Sequence, residues 1–168
     1  IMARAAANAG IPAAKVEKYD EEYDVVIIGS GFAGMACALK AGRAGKKVLM
    51  LEKMPVVGGN SAICGGNVAC PVNPVQKAQG IKDSRELFIA DCLKDGLGLN
   101  HVELLSKIVD RCNDTIKFVE DCGAEFVPNH MLFEGGHSVP RSYEIKAGTG
   151  SGYIHPMYDQ IKKLSNVT

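Results

Sequence analysis

Gly29, Gly31 and Gly34 stand in the order GxGxxG, and a carboxylate, Glu52, follows about twenty residues later. Each of those glycines has its own use: a tight turn, approach of a pyrophosphate to the main chain, and close packing of a helix on a strand. A helix starting there offers free N–H groups and the positive end of its dipole to phosphate oxygens. A carboxylate at the end of the next strand accepts hydrogen bonds from two ribose hydroxyls and repels a 2′-phosphate. The chemistry is that of a dinucleotide site. Beyond Glu52 and Lys53 the backbone is bared again at Gly58, Gly59, Gly65 and Gly66, with Asn60 and Ser61 between them. A nicotinamide dinucleotide has no general need of that second segment. An extended FAD carries its flavin away from the first turn, and a long wall of backbone and small polar side chains suits its ring and ribityl chain. The pattern therefore predicts FAD, with an NAD site and incidental later glycines as the alternative.

Those residues need elements to hold them. The run DVVIIG (24–29) is short, continuous and β-branched, the pattern of a strand covered on both faces. FAGMACALKAGRAG (32–45) is alanine-rich and free of proline, which favours a helix able to lie close to a sheet, with Gly45 closing it. KKVLMLE (46–52) follows as a second strand, giving a β-α-β unit and a parallel pair. Residues 55–80 carry glycine and proline too densely for regular structure throughout and read as a structured loop with one short helix. A helix is expected over 83–98, capped by Asp83 or Ser84, with Leu87, Ala90, Leu93 and Leu97 inward. A longer one covers 101–122, capped by Asn100 and stopped by Gly123, and its stripe of Leu105, Ile108, Val109, Cys112, Ile116 and Val119 reads as core. Short strands are expected at 124–128 and 131–139, then a helix over 153–164 with Pro156 in its first turn. Residues 1–23, alanine-rich and then acidic, read as a lead-in or linker.

Composition bounds the function classes. With 168 residues, 46% of them hydrophobic, the chain can bury one ordinary core. Its formal charge is zero and its basic residues are scattered, so no footprint for nucleic acid or an anionic membrane is present. No apolar run approaches the roughly 20 residues that span a bilayer. The six cysteines show neither CxxC nor zinc spacing, so no metal site is expected and most are read as small buried apolar residues. The chain opens on Ile1 and closes on Thr168 directly after a predicted helix, and a piece of a longer polypeptide is expected.

The stretches GSGFAG, EK, GGNS and GG, followed by GGHSVPRS and GTGSGYIHPMYDQI, resemble the fumarate reductase and flavocytochrome c branch of the FAD-dependent oxidoreductases. Succinate dehydrogenase flavoproteins and ketosteroid dehydrogenases belong to the same branch. The resemblance runs from about Asp24 to the end. It implies an α/β fold, a Rossmann-like FAD-binding domain with a parallel sheet, incomplete in this chain: 24–168 would be its N-terminal part, without the capping domain and the C-terminal return. It also implies a flavin that passes hydride between N5 and a carbon–carbon double bond of an unsaturated organic acid such as fumarate. Electrons would come from a donor protein or domain. The alternatives are a ketosteroid dehydrogenase-like flavoenzyme and an FAD-holding module without catalysis.

Carried over by position, Gly29, Ser30, Gly31, Ala33 and Gly34 would hold the pyrophosphate turn, and Glu52 with Lys53 the adenosine ribose. Gly58, Gly59, Asn60, Ser61, Gly65 and Gly66 would approach the ribityl chain and flavin. Covalent members of the branch carry a histidine near the position of NSAIC; this sequence has none there, so non-covalent FAD is expected. The family's substrate-gripping and proton-donating residues lie beyond this chain, so no catalytic residue is assigned. His137, Arg141 and His155 are read as a loop histidine, a surface ion pair and local packing. Unpaired cysteines favour a reducing compartment, whereas the branch includes many exported proteins, which leaves periplasm and cytoplasm both open.

Overall fold

A computed structural model describes residues 18–168. Most of the expected lead-in therefore lies outside the described residues. Strand β1 (Val25–Ile28), helix α1 (Phe32–Arg43) and strand β2 (Val48–Leu51) form the β-α-β unit, with the strands parallel in the register Val25↔Val48 to Ile28↔Leu51. Helix α1 buries Met35, Ala38 and Leu39 completely against the sheet, each large side chain contributing roughly 1.5–3 kcal/mol. It ends where Gly45 turns back and donates its N–H to the Gly42 carbonyl at 2.9 Å.

Residues 166–168 run parallel to β2 and join it through an isolated bridge, Val48↔Val167. Val48 N–H donates to the Asn166 carbonyl, and Thr168 exchanges hydrogen bonds with Val48 and Met50 on the free edge of β2. The bridged segment lies on the side of β2 away from β1, giving the order 166–168, β2, β1. The Asn166 amide donates to the carbonyls of Gly42 and Lys46 at 2.9 and 2.7 Å, tying this segment to the end of α1 and the turn after it.

Between sheet and terminus lie α2 (Gly59–Ile63), β3 (Val68–Ala69), α3 (Pro74–Ala78), α4 (Arg85–Asp95), α5 (Val102–Cys122), β4 (Ser142–Tyr143) and α6 (Ser151–Ile161). Strands β3 and β4 pair antiparallel. Helix α6 packs on α1, α2 and α5. One core cluster gathers Met35, Leu39, Val48, Ile154 and Met157 around the sheet; a second gathers Phe88, Val109, Cys112, Ile116 and Tyr143, and Phe126 touches both.

Several expectations are corrected. β1 is covered on one face only, since Val26 is 55% and Ile28 89% exposed and no described element lies over them. The 55–80 region holds two short helices and a short strand rather than one helix. Ser84 caps α4 as expected, accepting the Leu87 N–H, but its inward residues are Phe88 and Asp91, while Ala90 and Leu97 face out. Asp91 is paired there with Arg141 at 2.6 Å. α5 is capped at His101, not Asn100, and Ile108 is exposed. The strands expected at 124–128 and 131–139 reduce to single bridges, Phe126↔Ile145 and Leu132↔Ser142. α6 starts two residues early, which puts Pro156 inside the helix. Of the six cysteines, Cys70, Cys112 and Cys122 are buried, Cys92 is half-buried, and Cys37 and Cys64 are exposed.

Candidate functional site

The carboxyl ends of β1 and β2 open into a groove of about 760 Å³ lined by Gly29, Ser30, Gly31, Glu52, Lys53, Gly59 and Asn60 among others. Ligands of open α/β sheets bind at such strand ends. Gly29 has φ +97° and its N–H reaches the Leu51 carbonyl at 2.7 Å, so the turn leaves β1 in a conformation that side chains resist. Behind the turn, a Cβ on Gly34 would stand 2.0 Å from the Gly29 carbonyl oxygen. Helix and strand approach that closely because Gly34 has none. The Met35 N–H closes the first helical bond, to Gly31. Among the described residues, the N–H groups of Ala33 and Gly34 have no protein acceptor, and they belong to the turn of α1 nearest the groove.

Glu52 is held from three sides. Its Oε2 accepts from the Ser30 hydroxyl at 2.5 Å and the Ser30 N–H at 3.0 Å, and its Oε1 from the Met54 N–H at 2.9 Å. The Ser30 hydroxyl above all, then the two backbone donors, hold its carboxyl at about 2, well below the usual range. Glu52 is thus an ionised, oriented carboxylate at the groove wall.

The second glycine segment serves partly as wall and partly as support. Gly59 and Asn60 face the groove and Gly65 is exposed, whereas Gly58 and Gly66 are buried. Gly58 packs on Ile154, and Gly66 on Ile145 and the Thr149–Gly150 backbone. The Ser61 hydroxyl accepts the Phe32 N–H at 3.1 Å, so a residue of α2 caps α1, whose own N-cap, Gly31, has no side chain to do so. Sequence reasoning missed two supports, Gly150 and Tyr153. Gly150 donates to the Cys64 carbonyl at 2.8 Å, and a Cβ there would meet the Ser61 carbonyl at 1.8 Å. Tyr153 donates its hydroxyl to the Gly66 carbonyl at 2.5 Å. The GTGSGY run was the available signal.

Arg141 is the largest correction. It is fully buried, not a surface residue, and its guanidinium donates twice to Asp83 at 2.9 Å and once to Asp91 at 2.6 Å while lying 4.7 Å over the Phe88 ring. Burial pushes the Asp91 carboxyl up, but the hydrogen bonds of Ser138 and the Arg141 charge outweigh it and hold the group at about 2. None of His137, Arg141 and His155 lines the groove. His137 packs edge-on against Phe88 with Nδ1 buried and unpartnered, and His155 is exposed on α6. Among the described residues no cluster of His, Cys, Asp or Glu could hold a metal, and no helix is long and apolar enough to cross a membrane.

A family model described as FAD binding domain matches residues 24–168. The chain belongs to the FAD-binding domain family. Within that family it is 42% identical over 148 residues to the acrylate reductase flavoprotein subunit of Shewanella woodyi, covering 88% of this chain and 29% of that protein. It is 36% identical over 146 residues to the urocanate reductase of Eggerthella lenta, covering 87% and 24%. Its fold superposes on the open conformation of a flavocytochrome c3 fumarate reductase with a TM-score of 0.79 at 29% identity, covering 88% of this chain and 27% of that one. The chain therefore spans under a third of the length of these relatives.

Proposed function

We propose that residues 24–168 are the N-terminal part of the FAD-binding domain of a flavoprotein oxidoreductase that reduces the carbon–carbon double bond of an unsaturated organic acid such as fumarate. The observation that carries the reading is the groove at the strand ends, lined by the glycine turn and an ionised Glu52, with the unpartnered N–H groups of Ala33 and Gly34 in the first turn of α1 that follows Gly31. The residues present fit FAD: a Cβ at Gly29, Gly59 or Gly65 would meet nothing within 4 Å, so bare backbone faces open space at intervals along the segment. In this reading the N–H groups of Ala33 and Gly34 hold the pyrophosphate beside Gly29 and Gly31. Glu52 and Lys53 hold the adenosine ribose. Gly59, Asn60 and Gly65 lie toward the ribityl chain and flavin, and Gly58, Ser61 and Gly66 support them from behind. The flavin, once bound, supplies hydride at N5. Attachment is non-covalent, since no histidine occurs from 58 to 66.

The substrate class rests on the relatives, whose printed names carry acrylate, urocanate and fumarate, each an acid conjugated to a double bond. The capping domain, the proton-donating group and the route from the electron donor belong to polypeptide beyond residues 24–168, and that polypeptide would cover Val26 and Ile28. By itself this chain holds the cofactor without turning over acids. Titrating the chain with FAD and following flavin fluorescence tests the core of the reading. Saturable quenching is expected, with no comparable response to NADH. Failure to bind FAD, or a preference for NADH, overturns it.

A further inference from the structure

We infer that Ser30 is a positioning residue of the groove, whose buried hydroxyl fixes Glu52 and ties it to the second glycine segment. This rests on the reading of the groove as the FAD site. Ser30 is fully buried. A serine hydroxyl has one proton to give, and here it goes to Glu52 Oε2 at 2.5 Å, which leaves none for a ribose or phosphate. The same oxygen accepts the Gly58 N–H at 2.9 Å. Gly58 opens α2, and α2 returns through Ser61 to cap α1 at Phe32. One hydroxyl thus links the carboxylate, the second glycine segment and, through α2, the helix that begins at the first glycine turn. Among the described residues lining the groove, Lys53 is the other charged side chain, and it is exposed. Ser30 and the Met54 N–H are therefore what keep Glu52 ionised and aimed as the medium becomes acid.

The test compares the unmodified chain with Ser30→Ala and Ser30→Thr, titrating FAD by flavin fluorescence between about pH 4 and 8. Carboxyl-carbon NMR of Glu52 in the FAD-free protein runs in parallel. The unmodified chain should bind FAD with an affinity nearly flat in pH, and its Glu52 should show no titration midpoint above about pH 4. Ser30→Ala should weaken binding roughly tenfold at neutral pH and further as pH falls, with the Glu52 midpoint moving toward the ordinary carboxylate value of 4.5. Ser30→Thr, which keeps a hydroxyl, should restore the flat profile. A loss in Ser30→Ala that is the same at every pH, with Glu52 unchanged, would mean a packing role alone and overturns the inference. Should neither variant fold, the unmodified chain decides, because a Glu52 midpoint in the ordinary range overturns it. Should the unmodified chain bind no FAD at any pH, the cofactor reading fails while the Glu52 titration still judges Ser30.

Discussion

Gly34 shows how one missing carbon carries a fold. Its substitution by alanine would drive a Cβ into the Gly29 carbonyl, against backbone that cannot step aside. Gly34→Ala should therefore lose about 1–3 kcal/mol in urea unfolding and weaken FAD binding with it. Gly45, with φ +76° and open space around it, sets the contrast: Gly45→Ala should cost about 1 kcal/mol through backbone strain alone and leave cofactor affinity unchanged. The cysteines divide as cleanly. Cys37 and Cys64 should alkylate in the native chain within minutes, while Cys70, Cys112 and Cys122 wait for unfolding, as mass spectrometry after brief iodoacetamide treatment would read.

At the scale of elements, the Asp83–Arg141–Asp91 cluster binds the start and middle of α4 to the segment that enters β4. The side chains of Asp83 and Arg141 are fully buried, so Arg141→Met would leave two carboxylates facing each other without their cation. A loss of about 3–5 kcal/mol is expected in chemical denaturation, larger than that of Asp91→Asn, which leaves the bidentate Arg141–Asp83 pair in place. The acid limb of stability has a definite sign. Asp91 binds its proton less readily folded, at about 2, than unfolded, near 3.8, so its contribution is complete above about pH 4 and disappears as pH falls toward 2. Glu52, held by the Ser30 hydroxyl and backbone donors, has the same sign, its contribution falling away as pH drops from about 4.5 toward 2. Asp91→Asn should flatten the fall in stability over that range, leaving the share due to Glu52, as urea midpoints measured at pH 2 to 5 would show.

For the molecule as a whole, stability and cofactor are linked. A ligand held by the folded chain alone raises stability with its concentration, by about 2.7 kcal/mol at a hundred times its Kd. Added FAD should raise the thermal midpoint progressively, and NADH should not. The bare face of β1 makes a second statement at this scale. Val26→Thr should change the stability of this chain by less than about 0.5 kcal/mol, because Val26 is more than half exposed here. Met35→Ala, across the same sheet and fully buried, should cost about 2–5 kcal/mol, both variants being read by differential scanning calorimetry.

The β1–α1–β2 unit, its glycine turn, Gly45 and the place of Glu52 were all legible in the amino-acid order. Each follows from neighbours a few residues apart: a β-branched run, a helical composition, a spacing of glycines. The tertiary structure alone decided that Arg141 is interior, that Asp91 rather than Leu87 or Ala90 turns inward on α4, and that Ser61 caps a helix 29 residues earlier. It also decided that residues 166–168 pair with β2. Those outcomes depend on which groups meet across long separations. A charged side chain is stable inside only when its partners arrive there too, and no local pattern records their arrival.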